Sequence, residues 1–305
     1  MSCPCHLPRP SSIVSAFVLA LALAACGAAP PPKPEIEDIG KPSPELLAKL
    51  AAVEKAYLTR APEYERLRDE VRHDPVAAGW LTRSFVYDVF KSREGTPLDD
   101  DEILRAAAKI DNPVERRAIE QIVELGADAV PVLVGDLLLH SQAQTREVGI
   151  ELLDRVGAPA LPRLLEVSRS DDPLHRRSAA RALTTFTSDA GVVARLCELA
   201  HDPEFTVRAD AVRSLRAAPP SAAGFVRDVL ANDSDPFVRR AAAQALVGHP
   251  GRANALALVD YLDRCKADVD ARGYEAAQEA LQQLAGRRGP RTPGAWRQWA
   301  EQQPQ

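Results

Sequence analysis

Asp235-Pro236-Phe237-Val238-Arg239-Arg240-Ala241-Ala242-Ala243-Gln244-Ala245-Leu246 is the stretch on which the fold turns. An Asp carboxylate accepts hydrogen bonds from the first free amides of a helix. Proline beside it suits the first helical position, where no amide donor is needed. Val238, Ala242 and Leu246 then recur at i, i+4 and i+8, one column on a helix face. The same pattern recurs outward. Asp74-Pro75, Asn112-Pro113, Asp172-Pro173 and Asp202-Pro203 each precede an apolar, Ala-rich run, and Ser141-Gln142 fills the remaining gap. Each dipeptide is read as a helix start. Arg116, Arg146, Arg176, Arg208 and Arg239 follow these starts at spacings of 30, 30, 32 and 31. The accompanying columns are Glu115/Ile119/Val123, Thr145/Gly149/Leu153, His175/Ala179/Leu183, Val207/Ala211/Leu215 and Val238/Ala242/Leu246. Their middle member is small in four of five, which permits close helix–helix approach. The third is aliphatic throughout and is expected to face a core.

A second helix follows each first one. Gly126-Ala127-Asp128-Ala129-Val130-Pro131 and Gly157-Ala158-Pro159-Ala160-Leu161-Pro162 are near copies, with Gly ending one helix and Pro permitting the next. Apolar runs follow at Val132–Leu139, Leu164–Val167, Val192–Leu199, Phe225–Leu230 and Leu256–Leu262. Alternating β-branched strand signals are absent. The Asp235 stretch resembles a HEAT repeat of the short, phycobilisome-lyase-like kind, with looser matches at Asp202 to Leu215 and Asp172 to Leu183. The resemblance implies an all-α fold: an α-solenoid of HEAT-like helical hairpins over 111–264, with helical caps at 44–110 and 265–305. Helices are predicted at Glu45–Thr59, Tyr64–Arg72, Val76–Arg93, Glu102–Ile110 and Asp268–Leu284. Thr292-Pro293 caps a last helix whose Trp296 and Trp299, at i and i+3, are expected to seal the end of the array.

The beginning of the chain reads as an address. Ile13 to Ala25 is an apolar run too short for a membrane span, so 1–25 is read as a signal peptide. Leu23-Ala24-Ala25-Cys26 resembles the lipobox of bacterial lipoproteins, which implies lipidation of Cys26 and a membrane anchor. Gly27 and Ala28 supply no Asp after the cysteine. By the same resemblance this points to the periplasmic side of the outer membrane of a Gram-negative bacterium. The stretch 26–43 is proline-rich and is read as an extended tether.

Across 305 residues, 46% are apolar and 5% aromatic, and 38 basic residues face 43 acidic ones. That balance argues against a nucleic-acid coat. Between Asp111 and Pro250 there are 16 Arg, no Lys and 20 acidic residues, so the repeat arginines are read as inter-helix pairs rather than a basic groove. No His is followed by Glu, the pair that deoxyhypusine-hydroxylase-like HEAT enzymes use for iron. Phosphate loops, zinc spacings and hydrolase elbows are also missing from the sequence. Asp99-Asp100-Asp101-Glu102 is read as helix-start capping rather than a calcium loop. No catalytic residue, metal ligand or cofactor is assigned. The expected function is a membrane-tethered scaffold or adaptor that binds another protein in the cell envelope. A phycobilin-lyase-like accessory enzyme and a purely structural envelope lipoprotein are the other classes. Arg163, Arg195 and Arg227, spaced by 32 on the second helices, are the candidate partner-binding residues, with Glu166, Glu198 and Asp228 beside them as neutralising neighbours. Cys197 and Cys265 are expected to remain unpaired thiols two repeats apart, with Cys197 a buried small hydrophobe.

Overall fold

The computed structural model describes residues 40–93, 112–286, 289 and 292–304. The signal peptide, Cys26, most of the tether, the Asp99–Glu102 run and the helix expected at Glu102–Ile110 lie outside the described residues. The chain divides into two compact units, Met1–Ala160 and Leu161–Gln305.

In the first unit, α1 (Pro44–Thr59) starts on the Ser43 side chain and ends at Arg60 in the left-handed region, φ 56°. Next come α2 (Tyr64–Asp69) and α3 (Pro75–Ser92), the latter capped by Asp74. Asn112 caps α4 (Pro113–Leu125). Gly126 then turns the chain at φ 58°, which a side chain would strain. The return helix changes pitch as it goes: a 3-10 turn at Gly126–Ala129, a single α turn, α5 (Val130–Val132), and a π-helical Leu133–Leu138. α6 (Ala143–Val156) packs on the π turn through Gly149. A Cβ at Gly149 would stand 2.8 Å from the Leu137 Cβ and 2.9 Å from the Leu138 nitrogen, so the small middle residue of this column is what lets the helices touch. α3 packs on α4, and α4 on α6.

In the second unit, α7 (Leu161–Val167) is followed by first helices α8 (Pro173–Ala182), α10 (Phe205–Ser214), α12 (Pro236–Ala245) and α14 (Ala271–Ala285), each packed on the next. Second helices α9 (Ala190–Leu199), α11 (Ala223–Asn232), α13 (Arg252–Ala267) and α15 (Pro293–Glu301) alternate with them, and α13 packs on both α11 and α15. Leu183, Leu215 and Leu246, with Ala179, Ala211 and Ala242, are fully buried between the layers. This is an all-α solenoid of helical hairpins. α15 closes it as expected: Trp296 is buried, and Trp299 meets its ring edge-on at 5.3 Å.

Three expectations are corrected. Val123 is 40% exposed, because Ala118, Ile122 and Leu125 form the inward face of α4. The Asp202-Pro203 dipeptide does not start its helix. α10 begins at Phe205 on a Glu204 cap, because the Asp202 carboxylate is taken by Arg176. Cys197 is half-buried rather than fully buried; Cys265 is the buried thiol, and both are free.

Candidate functional site

The repeat arginines form a lattice. The Nη1 of Arg176 donates to the carbonyls of Ser170 and Asp171, at 2.9 and 2.8 Å. Its Nε and Nη2 reach across to the Asp202 carboxylate at 2.7 and 2.9 Å. One repeat later Arg208 does the same. It binds the carbonyls of Asp202 and Pro203 at 3.0 and 3.3 Å and the Asp233 carboxylate at 3.0 and 3.1 Å. Arg239 keeps the first half, donating to the carbonyls of Asp233 and Ser234. In the first unit Arg146 repeats it on His140 and Ser141. Each of these four arginines thus ties down the connection before its own helix, and at Arg176 and Arg208 a two-pronged, charge-assisted grip also fixes the next. Burial pushes the Asp202 carboxyl up, but hydrogen bonds from Arg176 and the Glu204 amide, with the Arg176 charge, hold it below the ordinary Asp value. The inter-helix pairing expected of these arginines is what Arg176 and Arg208 make.

The second-helix arginines are arranged differently from their spacing. Arg163 pairs with Glu166 at 2.7 Å. Arg195 donates to the Ser168 hydroxyl at 2.9 Å and the Ser168 carbonyl at 2.6 Å, closing the end of α7, and pairs with Glu198 at 2.7 Å. Arg227 donates to the Asn254 Oδ1 at 2.5 Å. The inward triplets of these helices are Leu164/Val167/Ser168, Leu196/Leu199/Ala200, Val226/Val229/Leu230 and Leu258/Tyr261/Leu262, so successive helices are equivalent at steps of 32, 30 and 32 residues. Arg163 and Arg195 share a column. Arg227, two residues out of step, takes the position of Cys197. Glu166, Glu198, Asp228 and Asp260 do follow the steps, and all four are exposed. The regular outward ladder on this face is therefore the acidic one, and Arg297 of α15 already reaches its last member, Asp260, at 2.7 Å. The spacing of the buried triplets carries this signal; the spacing of the arginines does not.

Sequence reading missed two clusters in the first unit. Arg93 gathers Glu115 of α4 at 2.8 Å and Glu151 of α6 at 3.0 Å. The buried Arg68 binds Gln121 at 2.9 Å and also Glu124 and Asp69. Tyr64 donates to the same Gln121 oxygen at 2.5 Å, and burial pushes its hydroxyl up to about 12. Apart from Asp69, the neighbour of Arg68, their partners lie about 20 to 60 positions away, beyond any local pattern.

In the second unit, a cleft of about 210 Å³ opens between Arg213 and Arg216 of the α10 region, Gln244 of α12, and Glu279 and Gln283 of α14. Among the described residues no group of His, Cys, Asp and Glu is placed to hold a metal ion, and no helix is long and apolar enough to cross a membrane.

A family model described as HEAT repeats matches residues 134–216 and again 193–288. No curated protein matches the chain. Among solved structures, it is similar to an engineered protein whose crystal structure is a Northeast Structural Genomics Consortium target. The identity is 23%, the TM-score 0.39, and the likeness covers 65% of this chain and 99% of that one.

Proposed function

The chain belongs to the HEAT-repeat family, and on that premise we propose that it is a membrane-tethered scaffold that grips another protein in the bacterial envelope. The stack of hairpins in the second unit carries this reading. Its interior is closed by aliphatic side chains and by the Arg–Asp lattice, and an exposed acidic row, Glu166, Glu198, Asp228 and Asp260, follows the helix steps of 32, 30 and 32 residues. Such a surface suits a long contact with another polypeptide. The tether rests on Leu23-Ala24-Ala25-Cys26 and on the prolines that follow it. In this reading the acyl chains on Cys26 hold the protein at the outer membrane and the proline-rich stretch spaces the helices away from the bilayer. Arg163, Arg195 and Arg227 remain candidates on the second-helix face, where a partner would have to replace the bonds they make to Glu166, Ser168 and Asn254.

The test is crosslinking in intact cells with the wild-type chain and with Cys26→Ser. The wild type is expected to incorporate labelled fatty acid, fractionate with membranes and yield a reproducible crosslinked protein. Cys26→Ser is expected to lose the label and the membrane association. A variant that still matures and fractionates tightly with membranes overturns the tether. A wild type that crosslinks to nothing specific overturns the scaffold.

A further inference from the structure

Three first helices of the second unit, α8, α10 and α12, carry a charge that the whole chain does not. They hold seven arginines and one acidic residue, in a protein whose net charge is −5. Three of those arginines, Arg176, Arg208 and Arg239, belong to the lattice. Others meet in one continuous patch across the three helices. Arg177 of α8 reaches the buried Asp210 of α10 at 2.5 Å, and Arg213 holds the other oxygen of the same carboxylate. The Arg213 guanidinium lies 4.8 Å from the ring centre of Phe237 on α12, and Arg240 stacks on that ring at 5.7 Å. Phe205, at the start of α10 and 40% exposed, meets Phe237 edge-on at 5.9 Å. Arg216 is exposed and, like Arg240, makes no ion pair among the described residues. One acid of α14, Glu279, lines the same cleft as Arg213 and Arg216.

Resting on the scaffold reading above, we infer that this face of α8, α10 and α12 docks an acidic, apolar-containing segment of a protein partner. Two arginines share one buried carboxylate, so their cluster keeps a net positive charge. Ring stacking holds the Arg213 and Arg240 guanidiniums in place, ready for the two-pronged bonds a carboxylate offers. An exposed phenylalanine, Phe205, packed on the half-buried Phe237 and ringed by arginines is the composition of an interface centre rather than of an ordinary solvated face. The excess of positive charge selects partners of opposite sign and speeds their approach.

The probe is a short fluorescein-labelled peptide alternating glutamate and leucine, titrated into the folded protein and followed by anisotropy. Binding is expected, and it weakens as salt rises. Arg216→Glu with Arg240→Glu, which leaves the Asp210 pairs intact, is expected to weaken it at least about tenfold, or about 1.4 kcal/mol, with helicity unchanged. Arg213→Glu is expected to weaken it too, but it also strips a partner from buried Asp210, so the double variant decides. The surface is overturned if the double variant binds equally well, if a lysine–leucine peptide binds as tightly, or if only anionic phospholipid vesicles titrate. If crosslinking in cells returns a partner whose yield the double variant leaves untouched, this surface falls and the scaffold stands. If the peptide binds through the arginines while crosslinking returns nothing, the scaffold falls and the surface stands.

Discussion

The Asp202 carboxylate receives both arms of the Arg176 fork, at 2.7 and 2.9 Å, from a residue 26 positions earlier in the chain. One acidic side chain thereby links consecutive hairpins, and its own carbonyl accepts from the next arginine, Arg208, at 3.0 Å. The Asp202 side chain is only 6% exposed and that of Arg176 15%, so removing one partner strands a buried charge. Asp202→Ala is expected to cost about 3–5 kcal/mol in urea unfolding. Because the folded carboxyl is held below its unfolded value of about 3.9, the contribution is full above that pH and fades as pH falls below it. The gap between wild type and Asp202→Asn should therefore narrow in acid. A gap independent of pH would mean that the pair contributes geometry alone.

Glu54 has the opposite sign. Burial raises its carboxyl above the ordinary value, and the nearby Asp88 carboxylate adds to the effect. A raised carboxyl penalises the charged folded form at neutral pH, and the penalty disappears below the unfolded value of about 4.3. Glu54→Gln is expected to raise the melting temperature at pH 7 and to leave it unchanged near pH 3. Lower stability at pH 7 would show that Glu54 makes a favourable contact worth more than its desolvation.

The core of the second unit offers a direct test of the helix faces. Leu215 and Leu246 are fully buried, each at the third position of its column. Truncation to Ala typically costs about 2–5 kcal/mol at such sites. In a stack where each hairpin touches only its neighbours, the loss should appear as local fraying, readable by hydrogen exchange around α10 or α12.

Much of this was legible because it is local. Asp172-Pro173 and Asp235-Pro236 cap α8 and α12, since a cap needs only its own carboxylate and the amides two or three residues on. The same two letters at Asp202-Pro203 mislead. There the carboxylate is claimed from a distance by Arg176, Glu204 caps in its place, and nothing nearby in sequence announces it. Arg227 misleads for a related reason. A 32-residue step looks regular beside Arg163 and Arg195, but the buried triplet moves by 30 at that repeat and carries Arg227 into a different column. The basic patch is not announced by spacing, since only Arg177 and Arg240 keep the repeat step and Arg213 and Arg216 do not. Arg177, Arg213 and Arg240 meet only through the Asp210 carboxylate and the Phe237 ring.

Gly149 tests how closely the hairpin helices of the first unit must approach. A Cβ there would sit 2.9 Å from the Leu138 backbone nitrogen, and backbone cannot swing aside as a side-chain tip can. Gly149→Ala would be mildly favourable on helix propensity alone, yet it is expected to destabilise by about 1–3 kcal/mol through overpacking. A stabilised variant would mean that α6 stands further from the π turn.

Cysteine chemistry separates the two thiols by accessibility. The periplasm proposed above for this chain is an oxidising compartment, where a Cys197–Cys265 bridge would be the habitual expectation. The repeat order opposes it. Cys197 lies on α9 and Cys265 at the end of α13, with α11 between them in the series, and a disulfide needs Cα atoms within about 7 Å. Burial raises both thiols above the ordinary value, with Glu198 adding to the effect at Cys197, so neither is an activated nucleophile. They still differ in access, since Cys197 is half-buried and Cys265 is buried against Gly273 and the Tyr261 hydroxyl. Maleimide labelling of folded, unreduced protein, mapped by peptide mass, should mark Cys197 slowly and Cys265 only after denaturation. Both peptides should then be fully labelled without any reductant. Recovery of a linked Cys197–Cys265 peptide would overturn the repeat register, because no stack with α11 between α9 and α13 brings those two residues together.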